Sequence, residues 1–342
     1  MQNPTTSVHP RAPFSLTRRA ALGALSAGIL VRPGAAATGE IRFSHAFGEA
    51  VLPGPAKRVV SLGYTTHDTL LALDVPPVGL RYWFGDQPNG VWPWAQSHLD
   101  GATPTLISGE VGAETVAALQ PDLIIGIGSG ISESEYAVLS QIAPTLMQRE
   151  GLGAYDTPWD ELATLFGRAT GKEALAAELV AGTRQRFAEA RARHPDWAGK
   201  RAAAAYHFGG ETGAFTGSDT RGRFLTELGF AGMPEIERLG GGNFYASLSP
   251  EDLSPLDADV LIWVSSFDQV PDLVALPMRR MLTAHTEGRE VFAGALTAAA
   301  LSFGSVLSLP YALSLIEADI VAAVDGDPAT RVETAVRAGL AP

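Results

Sequence analysis

The stretch KEALAAELVAGTRQRFAEARAR, residues 172–193, decides how the rest of the chain is read. Ala, Leu, Glu and Arg dominate it, all strong helix formers. It stops at His194-Pro195, where proline disfavours helical geometry in the residue before it. At 1.5 Å per residue such a helix is about 33 Å long, the width of a small domain. Leu175, Leu179 and Phe187 recur a turn or two apart along it. Strand-and-helix stretches of similar layout lie on both sides, so it reads as a rod joining two lobes. An ordinary surface helix of one domain is the alternative.

Before the rod, apolar β-rich runs at 58–62, 78–80, 105–107, 123–127 and 145–147 alternate with helical stretches at 66–73, 113–119 and 134–142. Strands separated by helices imply a parallel sheet covered on both faces. Thr157-Pro158-Trp159-Asp160-Glu161 looks like an N-cap, a first-turn proline and early acids, opening a helix that leads through Gly171 into the rod. Beyond the rod, 202–208 and 260–264 read as strands, and 223–228 and 305–321 as helices; the polar tail from Asp325 is expected to be loosely held. The expected fold class is α/β, two lobes with mainly parallel sheets joined by a single long α-helix. The boundaries are a leader at 1–37, an N-terminal lobe at 38–171, the bridge at 172–194, a C-terminal lobe at 195–326 and a tail at 327–342.

With 342 residues, 46% of them hydrophobic, the chain can bury two cores. Its formal charge is −12. Residues 1–37 hold Arg11, Arg18, Arg19 and Arg32 and no acid, so the remainder has 21 Lys and Arg against 37 Asp and Glu, a net −16. Nucleic acid and anionic membrane repel such a body. The absence of Cys excludes disulfides, thiolate metal sites, Cys nucleophiles and a lipidated cysteine. The leader pairs Arg18 and Arg19 with a 12-residue apolar run, 20–31, and then Ala35-Ala36-Ala37. That is a basic region, a core too short to span a bilayer and a small-residue cleavage site. It resembles a twin-arginine export signal cleaved after Ala37, which would release a soluble monomer into a periplasm without membrane insertion.

One repeat can be counted. Glu114 precedes Leu119 by five positions and Asp122 by eight, and Glu251 precedes Leu256 and Asp259 by the same intervals. Each unit reads as a short helix leading into a strand. A glutamate on each lobe suits a pseudo-symmetric partner, while an acid favoured by a helix dipole is the competing explanation.

Several motifs together resemble the class III periplasmic binding proteins, specifically their iron–siderophore group: PAKRVV (55–60), LLALDVPPVG (70–79), LQPDLII (119–125), IAPT (142–145), GRFLTELGF (222–230), LSF (301–303) and LSLPY (307–311). The resemblance spans 41–326. It implies a substrate-binding component of an ABC transporter for iron transport, with no enzymatic activity and no cofactor. The implied ligand is a ferric siderophore held between the lobes. It also implies that Glu114 and Glu251 dock on arginines of a membrane permease. Ligand contacts are expected from loops at strand carboxyl ends: 63–67, 81–84, 242–245, 265–267 and 302–303. The named candidates are Tyr64, Arg81, Trp83, Arg221, Arg223, Tyr245 and Phe303. Aromatics offer stacking area and arginines suit an anionic chelate. Trp83, Tyr245 and Phe303 fall where the hydroxamate branch uses aromatic contacts. That branch's arginine before the docking glutamate is replaced by Ser108-Gly109, and the basic cluster of catecholate binders is missing. Trp92 and Trp94 flank Pro93 and could line the rim or simply pack on the proline. Cobalamin or haem in the same cleft, and a siderophore-processing enzyme, remain alternatives. His45, His67, His98, His207 and His285 lack metal-motif spacing, and GIGSGI (126–131) lacks the third glycine of a dinucleotide loop.

Overall fold

The computed structural model describes residues 39–266 and 270–342. The export signal read at 1–37 lies outside the described residues, as does Phe267. Residues 39–342 form one unit. It opens with an antiparallel hairpin that sequence reading missed, β1 (Ile41–His45) and β2 (Gly48–Leu52). The first lobe's sheet contains β3 (Val59–Ser61), β4 (Gly79–Arg81), β5 (Thr105–Ile107), β6 (Leu123–Ile125) and β7 (Thr145–Leu146). Their spatial order is β5-β4-β3-β6-β7, parallel throughout. The intervening helices are α1 (Thr66–Ala72), α2 (Ala113–Ala118) and α3 (Glu133–Leu139). Every residue of β3 and β6 is buried, because helices cover both faces of the sheet.

α4 (Trp159–Thr170) leads through Gly171, in left-handed geometry, to α5 (Glu173–Arg193), the bridging rod. Pro158, not Thr157, takes the N-cap position of α4, with extended backbone. Along α5 the buried residues are Ala176, Val180, Thr183, Phe187 and Ala190, a stripe that follows the helical period and faces α4 and the C-terminal lobe. Phe187 stacks edge-on against Phe224 with ring centres 5.6 Å apart. The stripe is built around small residues more than around the leucines that attract notice in the sequence; Leu175 and Leu179 are only half-buried.

The second lobe contains β8 (Ala202–Phe208), β9 (Glu211–Phe215), β10 (Tyr245–Leu248), β11 (Val260–Val264) and β12 (Glu290–Ala293), in the order β10-β9-β8-β11-β12. β8, β11 and β12 are parallel; β9 pairs antiparallel with both β8 and β10. Around the sheet lie α6 (Thr220–Glu227), α7 (Pro234–Gly240), α8 (Val270–Ala275), α9 (Thr283–Thr286), α10 (Ala295–Phe303), α11 (Ser308–Val324) and α12 (Glu333–Arg337). The helix expected from 305 starts three residues later. Gly304, with φ of 56°, ends α10, and the Ser305 hydroxyl accepts the Leu307 and Ser308 amides. The tail expected to hang loosely is instead docked. Val332, Ala335, Ala338 and Leu340 join the core, and the Leu340 carbonyl accepts from buried Arg279, itself paired with Glu290. Its few apolar residues fall on one face, which a reading by average polarity overlooks.

The counted repeat has a structural basis in its aspartates. Asp122, just before β6, accepts the Lys57 and Arg58 amides at the start of β3. Asp259, just before β11, accepts the Arg201 amide at the start of β8. Each aspartate ties the entry of one central strand to its parallel neighbour.

Candidate functional site

In the first sheet the strand order reverses at β3, with β4 to one side and β6 to the other. Loops leaving the carboxyl ends of β3 and β6 diverge there and leave a crevice. The two loops touch at their base. A Cβ on Gly63 would sit 2.1 Å from the Ile127 carbonyl oxygen, so only glycine allows the backbones this close. A cleft of about 320 Å³ opens above them. Tyr64, Trp83, Thr157 and Tyr155 wall it on the first lobe, and Asp219, Arg221, Phe244 and Ser302 on the second.

Trp83 is 39% exposed and sits at the centre of the aromatic wall. Tyr64 lies 5.8 Å away, Phe84 4.6 Å and Phe303 5.9 Å, centre to centre. Across the cleft, Tyr155 of the first lobe meets Phe244 of the second edge-on at 5.9 Å. Tyr155 lies against Gly130, where a Cβ would come within 2.3 Å of the phenol oxygen. Burial raises the Tyr155 phenol pKa, the neighbouring Tyr64 adds to the rise and Arg81 opposes it. Thr157 Oγ1 is buried in the wall and has no hydrogen-bond partner among the described residues. Such a group is costly to leave dry and ready to meet a polar ligand atom.

One arginine lines the cleft, Arg221 of the second lobe, and Arg81 of the first lies behind the Tyr64 ring. Arg81 stacks over Tyr64 at 4.4 Å and donates to the Ser129 and Gly109 carbonyls. It has no carboxylate at ion-pair distance among the described residues, and Glu135 lies near enough for its own pKa to be lowered, mainly by the Ser132 amide and hydroxyl and to a lesser degree by Arg81. Arg221 lies over Phe215 at 3.5 Å and is gripped by both oxygens of Asp219 at 2.7 Å. Asp219 is fixed as the N-cap of α6, accepting the Arg221 amide at 2.8 Å.

Four expected contacts do not line the cleft: Arg81, which sits behind the Tyr64 ring, and three others. Phe303 is 3% exposed, enclosed by Trp92, Trp94, Phe84 and His67, and backs Trp83 from the core side. Its neighbour Ser302 takes the cleft position, since successive helical residues point about 100° apart. Arg223 turns along α6 toward Glu227 and bonds the Ser218 carbonyl. Tyr245 is exposed beside Phe244 and Tyr206, outside the cleft wall. Trp92 and Trp94 stack face to face at 5.5 Å inside the aromatic cluster instead of lining a rim. Tyr155 and Asp219 escape a reading of the sequence, and Thr157 is read there only as a helix cap. Tyr155 sits in a loop with no motif, and the preference of Asp for N-caps is the one sequence signal available for Asp219. Glu114 is exposed on α2, whereas Glu251 is exposed in a turn rather than on the expected helix.

Behind the cleft the lobes are tied. Buried Asp68 on α1 accepts Trp94 Nε1 at 2.6 Å and the Ser305 hydroxyl of the second lobe at 2.9 Å. Trp159 on α4 donates to Glu227 on α6 at 3.0 Å. Residues 59–288 match the family model described as periplasmic binding protein. The chain belongs to that family. Among its relatives, the ferric enterobactin-binding periplasmic protein FepB of Escherichia coli O6:H1 is 30% identical over 233 residues, covering 60% of this chain and 71% of that one. The probable siderophore-binding lipoprotein YfiY of Bacillus subtilis is 28% identical over 228 residues, covering 64% and 67%. A periplasmic solute binding protein from Mycobacterium smegmatis superposes with a TM-score of 0.74 at 35% identity, covering 84% of this chain and 99% of that one. Streptococcus pneumoniae PiaA, solved with ferrichrome, shares the fold at a TM-score of 0.72 and 23% identity, covering 84% and 99%. Among the described residues no helix is long and apolar enough to cross a membrane.

Proposed function

We propose that this chain is the solute-binding component of an ABC importer: it captures a ferric siderophore between its lobes and passes it, chemically unchanged, to a membrane permease. The cleft carries the reading. It is walled by aromatic rings and neutral hydroxyls from both lobes of a periplasmic binding protein. A ferric chelate is a bulky body with apolar flanks and oxygen atoms around its metal. Tyr64, Trp83, Tyr155 and Phe244 suit the flanks, and Thr157, Ser302 and Arg221 suit the oxygens. Arg81 holds Tyr64 in place from behind, and Tyr245 extends the aromatic surface outward. Relatives named for siderophores support the same assignment. The ties at Asp68–Ser305 and Trp159–Glu227, with α5 between the lobes, favour small opening angles. Glu114 and Glu251, exposed one per lobe, would dock the loaded protein on the permease. The protein would act as a periplasmic monomer, exported by the twin-arginine signal at 1–37.

Quenching of tryptophan fluorescence by ferric hydroxamates, catecholates and carboxylates, with haem and cobalamin as controls, tests the proposal. Saturable quenching by at least one ferric chelate, with the chelate recovered intact, is expected. Failure of every ferric chelate alongside tight binding of haem or cobalamin refutes it.

A further inference from the structure

We infer that the cleft selects a neutral ferric chelate, of the trihydroxamate class, over a trianionic tris-catecholate, and that Asp219 sets this preference. The inference rests on the siderophore reading above and adds the charge of the ligand to it. Three hydroxamates cancel the charge of ferric iron, whereas three doubly deprotonated catecholates overshoot it.

Among the described residues that line the cleft, Asp219 and Arg221 are the only charged ones. They neutralise each other: both carboxylate oxygens meet the guanidinium at 2.7 Å, and the two side chains are only 9% and 16% exposed. Asp219 cannot swing away cheaply, because the same carboxylate caps α6 through the Arg221 amide. Arg221 is pinned as well, lying 3.5 Å above the Phe215 ring with its third donor directed at Ser302 Oγ. A trianion entering here meets no unopposed cation in the wall and must approach a fixed carboxylate. The other arginine is also occupied. Arg81 lies behind Tyr64 and not in the wall, its donors taken by two backbone carbonyls. Beyond the cleft, residues 38–342 carry a net −16, which repels a trianion at longer range. The remaining polar groups, the hydroxyls of Tyr64, Thr65, Thr66, Tyr155, Thr157 and Ser302, are neutral and suit carbonyl and amide oxygens. A relative named for ferric enterobactin shares the family, but this wall is built for a ligand without net charge.

The test measures dissociation constants for ferrichrome and ferric enterobactin with wild type, Asp219→Asn and Arg221→Gln, the fold of each variant being verified by circular dichroism. Wild type is expected to favour ferrichrome by at least about tenfold. Asp219→Asn keeps the helix cap and uncovers the Arg221 charge, so the ratio should shift about tenfold toward enterobactin. Arg221→Gln leaves the carboxylate alone and should shift the ratio the other way, which keeps the test decisive if the first variant does not fold. Tighter binding of enterobactin by wild type, or a ratio that neither variant moves, overturns the inference and leaves the siderophore reading standing. Wild type that binds no ferric chelate removes both.

Discussion

Replacing Asp68 by asparagine should make stability depend on pH in a way the wild type conceals. Burial pushes the Asp68 carboxyl up from 3.8 to about 7, against the pull of the Trp94 and Ser305 hydrogen bonds. Burial lowers His67, the preceding residue, from 6.5 to about 4; neither of its ring nitrogens has a partner among the described residues. The signs oppose. For Asp68 the native state keeps a proton that the unfolded chain loses above pH 3.8, so stability falls as pH rises from there to about 7. The native His67 lacks a proton that the unfolded chain holds below pH 6.5, so stability rises with pH from about 4 to 6.5. At about 1.4 kcal/mol per pKa unit these amount to roughly 4 and 3 kcal/mol, so wild type stays nearly level where the windows overlap. The substituted asparagine would keep an acceptor for Trp94 and Ser305 and carry no charge, leaving His67 unopposed. Urea unfolding followed by tryptophan fluorescence from pH 4.5 to 8 should show the variant gaining roughly 3 kcal/mol up to pH 6.5. Its lead over wild type should approach about 4 kcal/mol above pH 7. A difference between the two proteins that does not vary with pH would refute the reasoning, because only an Asp68 whose pKa is the same folded and unfolded gives that flat result.

Four further outcomes are expected. Trp83→Ala or Tyr155→Ala should weaken binding of the ferric ligand by about thirtyfold each, the scale of about 2 kcal/mol for a buried aromatic anchor, read by fluorescence or calorimetric titration. The double variant Glu114→Ala, Glu251→Ala should bind ligand as wild type does yet stop uptake in cells, since each charge-assisted contact with a permease arginine is worth about 1.5–3 kcal/mol; undiminished transport removes the docking assignment. Gly63→Ala should cost at least about 2 kcal/mol in chemical denaturation, because its methyl meets the Ile127 carbonyl and two loops must part. Truncation after Gly326 should lower the melting temperature by several degrees or more, since it strips Val332, Ala335 and Leu340 from the core and leaves Arg279 without one acceptor.

Local chemistry made much of the fold legible. The rod announced itself because Ala, Leu, Glu and Arg favour a helix with little help from neighbours, and the buried strands β3, β6 and β11 because they are short, apolar and rich in Val and Ile, which suits a strand covered on both faces. The short hairpin strands, β9 and the docked tail were not legible, since their place in the fold is set by packing and pairing rather than by their own composition. The same division runs through the cleft. Tyr64 and Trp83 could be found because their loops follow strands. Tyr155 and Thr157 could not, because only the crossing of the loop after β7 over Gly130 brings them in.

Residue type and period along the chain were enough for two α/β halves, a stiff connector and an acidic body, while the expectation of an aromatic ligand surface came with the family resemblance. Packing settled the rest: which aromatics face the cleft, that Phe303 supports Trp83 from the core, and that Arg221 arrives already neutralised by Asp219. Those outcomes depend on which side chain points which way when two separately wound lobes meet, and a one-residue step on a helix turns a side chain by about 100°.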